Sequence, residues 1–164
     1  MNAHQTHQWI KKRLPHRWPF LHVDRVTKIT DKSVEGYKNV SASDSAFLGH
    51  FTEISIFPGV LVVEALAQLS GIYLIAKEEK KMTELIEASD ADGADMASKI
   101  GLLTSIRNFK FIKIIEPGDQ LLLKSILKGS NGDCYIFSVA AFVDKQEVAV
   151  GEVQLFLQNR EAVL

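Results

Sequence analysis

Glu64 is the residue whose surroundings first demand a chemical explanation. Its neighbours Val60, Leu61, Val62, Val63, Ala65, Leu66, Ala67 and Leu69 are apolar and leave it little polar company. Buried carboxylates are rare unless partnered, and desolvation favours their protonated form. That form is what a general acid needs near neutral pH. Gln68 lies one helical turn further on the same face, so its amide can orient the Glu64 carboxyl directly or through water. A structural glutamate hydrogen-bonded across a dimer seam would leave the same letters. Pro58-Gly59-Val60 adds a helix start, where free amides sit at the positive end of the dipole. Such amides can hold a carbonyl oxygen as it gains negative charge; an ordinary helix start reads identically.

Histidine supplies the candidate bases. His4 and His7 stand in a polar stretch and are expected to be solvated, and His22, between Leu21 and Val23, has only Asp24 near it in sequence. His16 lies within Leu14-Pro15-His16-Arg17-Trp18-Pro19-Phe20, and His50 within Leu48-Gly49-His50-Phe51. A lone histidine beside aromatics is more often structural than catalytic. The five are not spaced like a metal site.

These residues need elements to position them. A long apolar helix opens at Pro58-Gly59 and is expected to run to about Lys80. Phe57 to Ala76 is long and apolar enough to be weighed as a membrane span, but Pro58, Gly59, Glu64 and Gln68 argue for a buried core helix instead. Leu14 to Phe20, with two prolines, is expected to be an ordered loop, and Ser41 to Phe57 an irregular one with a short helical turn. Strands are expected at Val23–Thr30, Val34–Val40, Leu102–Ile115, Gln120–Leu127, Tyr135–Val143 and Val148–Leu157. The turn Glu116-Pro117-Gly118-Asp119 and the Asn131-Gly132 hairpin separate the later ones. In the last strand Gly151, Val153, Leu155 and Leu157 share one face. Residues 1–13 read as a polar N-terminal tail, and 77–99 as a surface excursion, partly helical, with Gly93 as a breaker. The sum is a single α+β domain over 1–164, its antiparallel sheet of about six strands wrapped around one helix.

Composition limits the partners. The chain of 164 residues has a formal net charge of −1, so no overall field attracts nucleic acid or anionic membrane. Cys134 is the only cysteine, which excludes an intramolecular disulfide and suits a reducing cytoplasm. Met1 to Arg13 lacks the apolar stretch of a signal peptide.

Three ordered motifs together are far more specific than any one. Leu14-Pro15-His16-Arg17-x-Pro19-Phe20-Leu21-x-Val23-Asp24-Arg25-Val26, then Gly49-His50-Phe51, then Pro58-Gly59-Val60-Leu61-x-x-Glu64-Ala65-x-Ala67-Gln68 resemble the 3-hydroxyacyl-(acyl-carrier-protein) dehydratases of type II fatty-acid synthesis, the FabZ family. Pro117-Gly118-Asp119-Gln120-Leu121 matches the same pattern, and the resemblance runs from about Leu14 to Leu157. It implies a hot-dog fold: a long central helix wrapped by a curved antiparallel sheet, paired with a second copy. It further implies His50 as base, Glu64 as its partner, Gly59 offering its amide to the thioester carbonyl, and Gln68 supporting Glu64. His50 and Glu64 would come from different subunits, and three dimers often gather into a hexamer.

Substrate would arrive on the phosphopantetheine of acyl carrier protein, its chain in an apolar tunnel, with no metal or other cofactor needed. An acidic carrier would want a basic docking surface, for which Lys11, Lys12, Arg13, Arg17, Arg107, Lys110 and Lys113 are candidates. Two stretches depart from the pattern. Thr52-Glu53-Ile54-Ser55-Ile56-Phe57 keeps the family's length but lacks its prolines and glycine, and Lys77 to Lys99 is longer and more acidic. A hot-dog thioesterase, or an acyl-binding or assembly subunit without turnover, are the competing readings.

Overall fold

The computed structural model describes residues 6–51, 53–89, 99–159 and 161. Alternation of inward apolar and outward polar residues builds six antiparallel strands: β1 (Arg25–Ile29), β2 (Ser33–Asn39), β3 (Lys99–Phe111), β4 (Gln120–Asn131), β5 (Cys134–Val143) and β6 (Gln146–Asn159). They lie in one open sheet of order β1-β2-β4-β5-β6-β3, which leaves β1 and β3 at its edges. The inward residues of β4, Leu121, Leu123 and Ser125, are buried, while Leu122 and Ile126 face outward. On β6 the expected face is buried, with Gly151, Val153, Leu155 and Leu157 all inward.

Helix α2 (Gly59–Ser89) lies against this sheet with Val62, Leu66, Leu69, Ile72 and Tyr73 fully enclosed. Its span Gly59–Lys81 is long and apolar enough for a bilayer, yet 72% of that apolar window is buried inside the protein, as a core helix should be. Ser70, fully buried like Ser125, donates to the Leu66 carbonyl at 2.8 Å and meets Ser125 of β4 at 2.7 Å.

Three boundaries differ from expectation. The stretch 1–13 is not simply a polar tail. Thr6 caps helix α1 (His7–Arg13), whose Ile10 is buried in the core, and the Arg13 guanidinium lies 3.6 Å over the Trp9 ring while pairing with Glu79. One apolar residue per turn was enough to dock so short a helix, too little to register as periodicity. His7 is exposed as expected; His4 lies outside the described residues.

The helix expected to end near Lys80 continues to Ser89, so the partly helical excursion of 77–99 begins as part of α2. Residues 77–89, rich in Lys and Glu, are mostly good helix formers uninterrupted by glycine or proline. Residues 90–98 lie outside the described residues, and β3 opens at Lys99 rather than Leu102.

The β5–β6 connection is shorter than expected. Asp144 (φ 49°) and Lys145 (φ 68°) form a two-residue turn that pairs Val143 with Gln146. Positive φ at both central residues is the type I′ geometry, which a sequence without Asn-Gly conceals. By contrast Gly132 takes the expected positive φ in the β4–β5 hairpin.

Candidate active site

Two loops and the first turns of α2 carry the residues with chemistry. The Leu14–Phe20 loop is fastened to α2 by one side chain. Gln68 Oε1 accepts the His22 backbone N–H at 2.8 Å, and its Nε2 donates to the Phe20 carbonyl at 2.7 Å and to Glu64 Oε1 at 2.9 Å. A backbone N–H can only donate and a carbonyl only accept, so the amide has one possible orientation. Gln68 therefore bonds Glu64 and also latches the loop.

Glu64 is less enclosed than its apolar neighbours suggest. Its side chain keeps 18% of its surface and opens on a cavity of about 210 Å³ lined by Leu14, His16, Gln68, Gly71 and Leu103. This cavity runs between α2 and β3, where Gly71 and Gly101 let the two elements approach closely. Two larger recesses lie elsewhere, one beside Lys11, Arg17 and Trp18 and one along the C-terminal part of α2; neither brings Glu64 or His50 to its wall.

His50 sits on the loop between β2 and α2, after a short 3₁₀ turn at Ser45–Leu48. Lys38 of β2, almost fully buried, holds the start of that loop through Asp44 at 3.1 Å, and Asp44 in turn accepts the Ser41 amide at 3.1 Å. At the other end His50 Nδ1 lies 2.9 Å from the Ile56 carbonyl. Because a carbonyl only accepts, Nδ1 carries the proton, and Nε2 keeps the lone pair that a base needs. The Phe51 amide bonds to the Ile54 carbonyl and the Phe57 amide to the Ile115 carbonyl. These backbone bonds tie down residues 53–57, which lack proline and glycine.

At the start of α2 the Leu61 and Val62 amides turn back to the Pro58 carbonyl, whereas Gly59 and Val60 have no backbone acceptor among the described residues. The Phe111 ring stands directly over Gly59, where a Cβ would come within 2.8 Å of it. Gly59 is thus required for close approach. Gly151 is the parallel case on β6, its missing side chain replaced by the ring of Phe109. Phe109 and Phe111 themselves pack 5.2 Å apart across this corner.

The four residues singled out from sequence do not all meet within one chain. Glu64 and Gln68 touch each other; Gly59 lies one and a half turns earlier on the same helix. No hydrogen bond or ion pair joins His50 to Glu64 among the described residues. Instead Glu64 meets His16, whose Nε2 is 3.4 Å from Oε1. Sequence reasoning did not assign His16 a role; its place inside the Leu14–Phe20 motif was the available signal. Of the candidate docking cations, Arg13 is engaged by Glu79 and Trp9.

His22 is structural. Both ring nitrogens are buried without a partner, and the ring packs edge-on to Phe20 and Phe57. Burial, reinforced by Lys38 and His16 against Asp44 and Asp24, lowers its pKa from 6.5 to about 4. The unfolded chain therefore binds this proton first as pH falls, so stability is full above about pH 6.5 and is lost on the way down to about pH 4. The urea midpoint of the wild type should fall across that window. His22→Leu, which removes no hydrogen bond of the ring, should flatten the decline; parallel curves for the two proteins would exclude His22 as its source.

The FabA-like domain family matches residues 14–152. The FabZ 3-hydroxyacyl-(acyl-carrier-protein) dehydratase of Campylobacter lari is 38% identical over 92% of this chain and 96% of its own length. That of Acinetobacter baumannii is 40% identical over 94% and 97%. The chain belongs to the FabA-like family, as a FabZ-like dehydratase. Solved structures agree on the hot-dog fold of these dehydratases. The dehydratase heterocomplex ApeI:P of Xenorhabdus doucetiae superimposes with a TM-score of 0.67 at 19% identity, over 94% of this chain and 93% of the other. A hypothetical thioesterase with coenzyme A from Streptococcus pneumoniae gives 0.56 at 13% identity, over 82% and 84%.

Proposed function

We propose that this FabZ-like enzyme dehydrates (3R)-hydroxyacyl thioesters on acyl carrier protein to trans-2-enoyl thioesters in fatty-acid or related lipid synthesis, with His50 as base and Glu64 as acid. The observation that carries these roles is the fixed tautomer of His50, which leaves Nε2 free to accept a proton. The C2 proton of a thioester is weakly acidic, so its removal by Nε2 needs the developing enolate oxygen to be held, and the Gly59 amide is available for that. Hydroxide is a poor leaving group. Glu64 gives its proton to the 3-hydroxyl, water departs, and the C2–C3 double bond forms; the proton taken by His50 then restores Glu64. Acid and base are both side chains, so the step asks for no cofactor beyond the carrier's own phosphopantetheine. A cytoplasmic setting goes with this reading.

A spectrophotometric assay with a short 3-hydroxyacyl thioester tests it. Enoyl product is the expected outcome; free thiol would mean a thioesterase, and neither product an acyl-binding subunit.

The active unit we infer is a homodimer, open to further assembly as a trimer of dimers. Edge strand β3 is thirteen residues long, with Leu103 and Ile106 partly exposed, and a second copy would cover it. Among the described residues no hydrogen bond or ion pair joins His50 to Glu64 and His50 does not line the cavity on which Glu64 opens, which supports a site built from two. Residues 82–89 prolong α2 rather than folding back over it, which disfavours a self-covered monomer. Mixing inactive His50→Ala and Glu64→Gln proteins under verified subunit exchange should restore activity, since a mixed dimer keeps one intact site of two. Exchange without recovered activity would rule the shared site out. Lys11 and Arg17, beside one recess, remain candidates to dock the acidic carrier.

A further inference from the structure

His16 and Gln68 converge on the same oxygen of Glu64. Gln68 Nε2 lies 2.9 Å from Oε1 and His16 Nε2 lies 3.4 Å from it, near enough for a small ring rotation to turn its N–H onto that oxygen. Gln68 can present only its N–H to that oxygen, as its carbonyl is taken by the His22 amide. His16 is constrained as well. Its Nδ1 is buried with no partner, and a proton placed there would be an orphaned donor, so Nε2 is the nitrogen that carries it. Burial is the largest influence on the His16 pKa and lowers it, Glu64 opposing and Arg17 adding to the effect. The ring, stacked on Phe20 at 6.0 Å, is therefore a neutral donor near neutral pH.

A carboxylic acid has two oxygens, and the one that bears the proton decides where the proton can go. We propose that His16 is a positioning residue which, with Gln68, fixes Oε1 of Glu64 as the accepting oxygen and so places the deliverable proton on Oε2. His16 exchanges no proton with the substrate. Its two attachments are complementary: the Leu14–Phe20 loop that carries it is the loop that Gln68 latches to α2. The inference rests on the reading of Glu64 as the acid.

Steady-state kinetics of His16→Ala, His16→Gln and His16→Asn, each also in a Glu64→Gln background, test it. His16→Ala should lower kcat about tenfold, as a misaimed group does, with KM changed less than about threefold. His16→Gln, whose amide nitrogen reaches the place of Nε2, should recover most of that loss; His16→Asn, which reaches only the place of Nδ1, should not. In the Glu64→Gln background His16→Ala should have no further effect on the residual rate. Wild-type kcat in His16→Ala, a His16→Gln enzyme as slow as His16→Asn, or the full tenfold loss persisting without Glu64 would each overturn the proposal. If the alanine variant fails to fold, the glutamine and asparagine pair decides. A fast Glu64→Gln enzyme would sink the acid assignment itself, whereas a slow one beside a fast His16→Ala would sink only the positioning role.

Discussion

Replacing His50 by alanine or Glu64 by glutamine is expected to cut dehydration by at least about 10²-fold, the lower end for a lost acid or base. The two substitutions remove different steps. On the proposed roles, loss of His50 Nε2 removes the base for the C2 proton, and an amide at residue 64 leaves the departing hydroxyl without a proton donor. The fold should survive both. Among the described residues the His50 ring bonds only to the Ile56 carbonyl, and glutamine at residue 64 can still accept from Gln68 through its carbonyl oxygen. Turnover near the wild-type rate in both proteins, with circular dichroism unchanged, would refute the pair. Loss of activity accompanied by loss of structure would leave the roles to be decided by His50→Gln, which keeps the ring's approximate volume.

Phe137→Ala should cost about 3–5 kcal/mol of folding stability, the usual range for a large aromatic deleted from a core. Phe137 on β5 is fully buried and meets Tyr73 of α2 edge-on, with ring centroids 5.7 Å apart. Tyr73 cannot turn to fill the space, because its hydroxyl donates to the Asp31 carbonyl at 2.5 Å. The hole would therefore persist where helix and sheet meet, rather than close. Phe137→Leu, nearer in volume, should cost much less. Urea unfolding monitored for both variants gives the comparison. A loss below about 1 kcal/mol for the alanine variant would mean that the helix–sheet contact is not where the core is held.

Much of the frame could be read from letters because it rests on local rules. The β6 face, the Asn131-Gly132 hairpin and the start of α2 at Gly59 follow from period-two alternation, turn chemistry and a proline before the first turn. Helix α1 escaped because its single core residue, Ile10, leaves no periodic pattern. The length of α2 escaped because a segment rich in Lys and Glu reads like a polar surface stretch. At the site the limit is different. Family spacing singled out His50, Gly59, Glu64 and Gln68 as candidates, but which groups meet depends on contacts between segments far apart in sequence. His16 reaches Glu64 only because Gln68 pins a loop forty-eight residues earlier. The tautomer of His50 depends likewise on one carbonyl, six residues on.

The strand order also sets a schedule for how the chain can acquire its structure. β3 directly follows the segment after α2, yet its only partner in the sheet is β6, the last strand. As the polypeptide is synthesised, β1, β2 and α2 emerge early, and β4 can pair with β2 as soon as it follows. β3 must wait, extended and unpaired, until Gln146–Asn159 arrives to close the sheet. Until then one flank of an unusually apolar helix stays uncovered. Pairings so far apart in sequence are slow to form, and uncovered apolar surface is what associates wrongly in the meantime. The final fourteen-residue strand therefore finishes the fold as well as lining it. A chain cut short before it would present both an apolar helix and a free strand edge to its neighbours.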